Sequence, residues 1–498
     1  RTGPRHGPGG PPPEMVEHSR RMSRGLPGIP RVRMGHAGPW FSRLAEKVQG
    51  NPRLPEWCGE LYLEYHRGTY TGMARNKKYN RKGEKLLGAV ENAAAAAALL
   101  TGAAYPEAAL HRHWRTLLLN QFHDILPGSS IREVYEDSQA EYEVMHAGLG
   151  GLLKDARQAI ASRVALPGTS VLVFNDTGFE RCDIARFSVP EGMAVVAVRN
   201  AEGAAVAFQV EDGMAAFVAE GVPAKGWKRF GLELAAMDGG TASGLATLAG
   251  QATVVDDTRD GCLSASPSRL ENGRFLLVLD AAGQIVRLHD KQADREVLAP
   301  GAAGNTLTAY EDRPLNFDAW DIDPFFGERS WPVDDVESIA VVQHGPVYAR
   351  LRIVRRYQAS RITQDLVMYR DLARIDFETE IDWKENQTLL KAAFPLDIHS
   401  PKATYDIQFG NVERPTHANT SWDEARFEVC AHQWADLSEG GYGVSLLNDC
   451  KYGHDIHGNV MRLTLLKSGT NPNPVADQEV HRFTYSLLPH AEGWQQAE

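Results

Sequence analysis

In the stretch LLLNQFHDILPGSSIREVYEDS, residues 117–138, an apolar helical stripe runs into a Pro-Gly break and a second helix opens beyond it. Leu110, Trp114, Leu117, Leu118 and Phe122 recur at helical spacing. Pro127-Gly128 stops that period, because proline lacks the amide hydrogen a helix needs and glycine favours helix ends. Ser130-Ile-Arg-Glu133 has the spacing of a capping box and predicts the start of the next helix. That helix carries Val134, Tyr135, Tyr142, Met145, Leu149, Leu152, Ala156 and Ile160. Upstream, Leu86, Val90, Ala94, Ala97 and Leu100 mark another helix, and the alanine run within Glu91–Leu100 combines high helix propensity with small side chains. Three long helices with short connections predict an antiparallel bundle.

Working outward, residues 14–50 hold two short amphipathic stretches around Met15–Ser23 and Trp40–Val48, after a Gly/Pro-rich start that reads as loop. Pro167-Gly168 closes the helical region, and from Val171 the apolar period becomes two. The runs Ser170–Phe174 and Met193–Val198 predict a small antiparallel β domain; Arg274–Leu279, Val347–Val354 and Ala373–Ile381 predict a large β-sandwich. The expected class is α + β and multidomain. The divisions fall at 1–35, a three-helix bundle over 36–165, a small β domain over 166–255 and a large sandwich over 256–498.

The chain has 498 residues, 43% apolar and 23% charged, enough for several buried cores and inconsistent with disorder. No apolar run reaches the roughly 20 residues of a membrane span. A net charge of −11 argues against sequence-wide attraction to nucleic acid. Five scattered cysteines without a CxxC pair fit reduced thiols in a cytosolic protein better than a disulfide framework.

Two segments could carry chemistry. His123 and Asp124 stand where the helix runs out, exposed enough to meet a ligand and rigid enough to aim at it. Imidazole is a good zinc ligand, and a neighbouring carboxylate can orient the ring or hold sugar hydroxyls. The alternative is that His123 bonds a helix-end carbonyl and Asp124 caps the next helix. Glu60–Thr71 crowds Tyr62, Tyr65, His66, Arg67 and Tyr70 into one stretch, which suits either sugar stacking or aromatic packing anchors. Asp318, Asp321 and Asp323 lack calcium-loop spacing and read as turn formers. His454 and His457 read as residues near a solvated hairpin tip.

Taken together, GELYLEYHRGTYT (59–71), NKKYNRKGEKLL (76–87), LLLNQFHDILPGSSIREVYEDS (117–138), DRPLNFDAWDIDPF (312–325), the stretch 405–459 and HRFTYSLLPH (481–490) resemble the α-mannosidases of glycoside hydrolase family 38, in collinear order across nearly the whole chain. The resemblance implies a catalytic α/β domain, a three-helix bundle and β domains behind it, the largest a sandwich of the galactose-mutarotase type. It implies retaining hydrolysis of terminal α-mannosides through a glycosyl-enzyme intermediate, with zinc binding the sugar hydroxyls. By the family's His-Asp motif, His123 is a zinc ligand and Asp124 holds sugar hydroxyls, with Tyr65, His66 and Arg67 as contacts at the rim. The same resemblance places the nucleophile and the other zinc ligands upstream of Arg1. Residues 1–35 are then a remnant of the α/β domain, with His6 where an active-site aspartate would stand. The expected partners are α-mannoside oligosaccharides, neither nucleic acid nor membrane, with a homo-oligomer possible. The expectation is a chain that is an incomplete, inactive segment of a mannosidase; the alternative is a non-catalytic carbohydrate-binding or assembly module.

Overall fold

The computed structural model describes residues 11–25, 27–164, 168–237 and 263–497. Position 6, Cys262 and the divisions drawn at 165/166 and 255/256 lie outside the described residues. The chain forms two compact units, Arg1–Tyr62 and Leu63–Glu498. The first contains helices α1 (Pro13–Ser23) and α2 (Ala37–Val48), neither of which buries a residue completely. A proline at the first position of α1 supplies a pre-set φ where the amide hydrogen would be unused.

The second unit opens with three long helices, α3 (Ala74–Thr101), α4 (Glu107–Asn120) and α5 (Arg132–Ala161). Leu87, Val90, Leu110, Leu117, Tyr142, Met145 and Leu149 form their shared core. Ala93, Ala94 and Ala97 pack directly on Ala156 and Ile160, the close approach that small side chains permit. Two expectations of the apolar stripe shift. Leu87, not Leu86, is fully buried, and Leu100, Leu118 and Phe122 are more than half exposed, because α3 turns its Val90–Ala94–Ala97 face towards α5 and α4 buries only its Leu110–Leu117 side.

The capping box does not form. Ile131 is the N-cap of α5, with no side-chain cap bond. The Ser130 hydroxyl donates instead to the Asp124 carbonyl at 2.7 Å. The preceding turn needs donors for its own carbonyls, and Ser130 serves it rather than the helix.

Seven strands follow: β1 (Ser170–Asn175), β2 (Arg181–Ser188), β3 (Met193–Arg199), β4 (Ala205–Val206), β5 (Phe208–Glu211), β6 (Met214–Val222) and β7 (Gly226–Ala236). They make a four-stranded sheet, β1-β7-β3-β4, and a three-stranded sheet, β2-β6-β5. Val195, Val198, Phe208, Phe217 and Phe230 fill the space between them.

The remainder is a large antiparallel assembly. One sheet has nine strands, running from Asp335–His344 at one edge through Ile375–Asp382 and Val480–Ala491 to Gly410–Pro415 at the other. Another has six, with Thr388–Pro395 and Val460–Ser468 at its centre. Phe377 and Tyr485 of the first meet Phe394 of the second at 5.6 and 6.3 Å between ring centres, so the two sheets face each other across an aromatic core. A five-stranded sheet spans Ser264–Glu296. The class is the α + β, antiparallel and multidomain one that the periodicities predict.

His454 is corrected here. It is fully buried on the strand Gly453–His457, not at a solvated tip. Its Nδ1 lies 3.0 Å from the Tyr452 carbonyl. The hairpin turn is four to five residues further on, at Gly458-Asn459, next to His457.

Candidate functional site

The segment after α4 is a run of turns held by side chains from three directions. The Asp124 carbonyl accepts from Ser130 Oγ and from the Tyr135 hydroxyl (3.2 Å), while Tyr135 itself accepts from the Ser130 amide at 3.0 Å. Asp124 Oδ1 accepts from Ser129 Oγ at 2.8 Å. Lys77 Nζ, fully buried, donates to the Leu126 carbonyl at 2.8 Å and to the Gly72 carbonyl. Burial lowers the Lys77 pKa to about 7, against the pull of Asp477. Gly128 has φ +94°, and a Cβ there would sit 2.8 Å from the Gly72 carbonyl oxygen, so only glycine fits.

On this fixed turn His123 points its chemistry outward. Its side chain is 76% exposed, its ring lies 4.2 Å from that of Phe122, and Nε2 is 3.4 Å from Asp124 Oδ2. Among the described residues no helix-end carbonyl engages the imidazole; it sits beside a half-exposed carboxylate on a rigid support. Both donor types suit zinc. Two donors are fewer than the three protein ligands of a catalytic zinc, so this turn by itself does not make such a site.

The second segment folds as two single 3-10 turns, Glu64–His66 and Gly68–Tyr70. It meets a partner the sequence does not place there, the loop around Phe317–Asp321. Gly68 N donates to the Trp320 carbonyl at 2.8 Å. His66 and Trp320 lie 5.0 Å apart, Tyr65 and Phe317 6.3 Å, and Phe317 and Trp320 5.2 Å, measured between ring centres. Tyr65 and Phe317 are more than half exposed. Phe317 has a left-handed φ of +58°, a conformation that surrounding contacts must hold.

Those contacts are the aspartates read as turn formers. Asp318 Oδ2 accepts from the Thr470 and Asn471 amides at 2.6 and 2.9 Å, and Asp323 from Leu315 at 3.1 Å. Asp321 accepts from Ile322 at 2.9 Å and pairs with Arg67 at 3.3 Å; burial raises its pKa. Gly72 lies between Pro127 and Ala319, so the His123 turn, the Tyr65 turns and the Phe317 loop converge on one backbone position.

Arg67 is placed differently from its neighbours. It is only 6% exposed, and its guanidinium donates to the carbonyls of Glu64 (2.6 Å) and Ala425 (2.9 Å) and sits over the Phe427 ring. It fastens the segment to the β region.

Asp477, Glu479 and His481 form the single cluster of three potential metal ligands among the described residues. It does not fit a cation. Asp477 accepts from the Met73 and Ala74 amides at 2.7 Å each and caps the start of α3, and Glu479 pairs with Arg75 at 2.5 Å. Lys77 and Lys451 add positive charge around it. Sequence reasoning missed Phe317, Trp320, Lys77 and Asp477 as supports. The two aromatics were visible inside the aspartate-rich stretch, but their pairing with Tyr65 and His66 spans some 250 residues and leaves no local signal.

Residues 270–475 match the glycosyl hydrolases family 38 C-terminal domain, and residues 64–160 match the alpha mannosidase middle domain. The chain is 36% identical to alpha-mannosidase 2C1 of Mus musculus over 496 residues, covering 99% of this chain and 44% of that protein. It is 32% identical to alpha-mannosidase G of Dictyostelium discoideum, covering 99% of this chain and 46% of that one. The chain thus spans about half the length of the curated relatives it matches. An alpha-mannosidase from Enterococcus faecalis shares its fold, with a TM-score of 0.73 at 16% identity over 96% of this chain and 62% of that one.

Proposed function

Because the chain belongs to the family 38 glycosyl hydrolases, carrying that family's C-terminal domain and the alpha mannosidase middle domain, we propose that it contributes one wall of an α-mannoside-processing site. The observation that carries this is the His123–Asp124 pair, exposed on a turn that Ser130, Tyr135 and Lys77 hold rigid. His123 is one ligand of a zinc ion. Asp124, with Oδ1 fixed by Ser129, accepts hydrogen bonds from sugar hydroxyls. Tyr65 and His66, backed by Phe317 and Trp320, offer aromatic faces to the C–H surface of the sugar. Arg67 holds that rim in place. Bound zinc would supply a positive centre for vicinal hydroxyls; everything this chain's own residues do is bind and orient. Retaining hydrolysis of terminal α-mannosides is the activity of the assembled site.

The chain by itself holds zinc weakly and does not turn over, since the turn provides too few ligands. The thiols of Cys58, Cys182 and Cys450, none of them in a disulfide among the described residues, support a reducing, cytosolic setting. Among the described residues no helix is long and apolar enough to cross a membrane. A second reading, a carbohydrate-binding or assembly module, is favoured by the exposed Leu118, Leu119 and Phe122 beside the turn.

Hydrolysis of a chromogenic aryl α-mannoside with added zinc, together with calorimetric titration of mannobiose, tests the proposal. Expected are no turnover by the chain and weak mannobiose binding that Asp124→Ala removes. Zinc-dependent turnover would place the complete machinery inside these 498 residues. Mannobiose binding indifferent to Asp124→Ala would put the sugar elsewhere.

A further inference from the structure

A groove of about 640 Å³ runs between the C-terminal half of α5 and the small β sandwich, on residues other than those of the His123 site. Its lining is unusual in kind. All five residues from Ser170 to Phe174 border it, as do Ala185, Arg186 and Phe187 in succession. Side chains alternate between the two faces of a strand, so an unbroken run along the wall means that the groove follows the strand edge. Both strands are terminal in their sheets, β1 in β1-β7-β3-β4 and β2 in β2-β6-β5. Among the described residues their outer edges therefore have no neighbour in either sheet.

The floor is apolar, with Leu153, Val171, Val173 and Phe187 half-buried against the adjoining cores. The rim is cationic. Lys154 is exposed, Arg186 is exposed with Glu378 4.0 Å from its guanidinium, and Arg157 joins them from α5. No aspartate or glutamate lines the groove among the described residues. Arg157 gives Nη2 to Asp176 at 2.9 Å and lies over the Phe174 ring, yet its buried Nε–H has no acceptor among the described residues. A buried donor without an acceptor is costly, and a carboxylate is the acceptor a guanidinium best accommodates.

We propose that this groove is a docking site for an extended acidic peptide, which adds as a strand along the edge of β1. Main-chain hydrogen bonds to that edge would supply affinity. Alternate side chains would fill the apolar floor, and acidic ones between them would meet Arg157, Lys154 and Arg186. A positive, apolar-floored slot on a chain of net charge −11 also selects by sign, since the remaining surface repels the same ligand.

A displayed random dodecapeptide library selected on the folded chain tests this, followed by titration of the enriched peptides and amide hydrogen exchange. Expected are sequences alternating β-branched or aromatic residues with Asp or Glu, and slowed exchange over residues 170–174. Lys154→Glu combined with Arg186→Glu should weaken binding at least about tenfold, the factor that 1.4 kcal/mol produces. Lys154 is exposed and Arg186 pairs only loosely with Glu378, at 4.0 Å, so circular dichroism checks that the variant folds, and Lys154→Glu alone should weaken binding in the same direction. Arg157→Lys, which keeps charge but loses the fork, should also weaken binding. Enrichment of basic or uncharged peptides, protection mapped elsewhere, or no enrichment overturns the proposal. So does protection of the same amides by concentration-dependent self-association.

Discussion

Tyr135→Phe isolates the hydroxyl that holds the His123 turn. Tyr135 is 4% exposed, and its ring packs with Met73, Ala476 and Ile125, contacts that phenylalanine retains. The hydroxyl accepts from the Ser130 amide at 3.0 Å and donates to the Asp124 carbonyl at 3.2 Å. Removing it leaves that carbonyl satisfied, because Ser130 Oγ still donates to it at 2.7 Å. The Ser130 N–H, however, is orphaned. An unsatisfied buried donor costs about 1–3 kcal/mol, and Ser130 is half-buried, which puts the expected loss in the lower half, about 1–2 kcal/mol. Urea unfolding measures the loss, and amide exchange over residues 122–130 should accelerate while the centre of α5 is unchanged. Ser130→Ala combined with Tyr135→Phe should cost about the sum of the single changes, because the Ser129 amide still donates to the Asp124 carbonyl at 3.2 Å. A loss under about 0.5 kcal/mol with unchanged exchange in the turn would refute the claim that this hydroxyl fixes His123 and Asp124.

Asp477→Ala removes the acceptor for the Met73 and Ala74 amides and the buried negative charge beside Lys77 and Lys451, so a loss of roughly 3–5 kcal/mol is expected from the urea midpoint. Lys391→Met should cost a similar amount, about 3–5 kcal/mol, because it leaves Glu428 and Asp455 buried without their shared cation. Replacing both carboxylates by leucine in the same chain should recover most of that loss. Burial raises the Glu479 pKa to about 7, above its ordinary 4.5. Its contribution to stability is therefore full below pH 4.5 and is lost as pH rises through 7, and Glu479→Gln should abolish that part of the fall when stability is compared across this range. His454 runs the opposite way. Burial holds it down at about 4, below its ordinary 6.5, so its contribution is present above pH 6.5 and lost as pH falls through 4. His454→Gln should flatten the acid limb of a stability-versus-pH curve, and an unaltered limb would contradict the burial argument.

The sequence by itself determined where the chain is helical and where it is extended. The 3.6-residue period of Val90, Ala94 and Ala97 and the twofold period of Ser170–Phe174 are local properties, and both appear in the structure as α3 and β1. It also offered His123 and Asp124 as candidates, because a His-Asp pair at the Pro-Gly end of an apolar helix is a local pattern. It misjudged what depends on neighbours distant in sequence. Ser130 and Glu133 have the spacing of a capping box, yet the Ser130 hydroxyl is claimed by a carbonyl six residues back. His454 sits among polar residues that suggest a turn, yet it is buried between the strands Val429–Cys430 and Val460–Ser468. Arg67 has the same local company as Tyr65 and His66, and the approach of Ala425, Asp321 and Phe427 separates its buried guanidinium from the exposed Tyr65 ring and the half-buried His66. Periodicity fixes which face of an element turns inward. Which group meets which across that interior is set by packing between residues hundreds of positions apart, and that the tertiary structure alone decided.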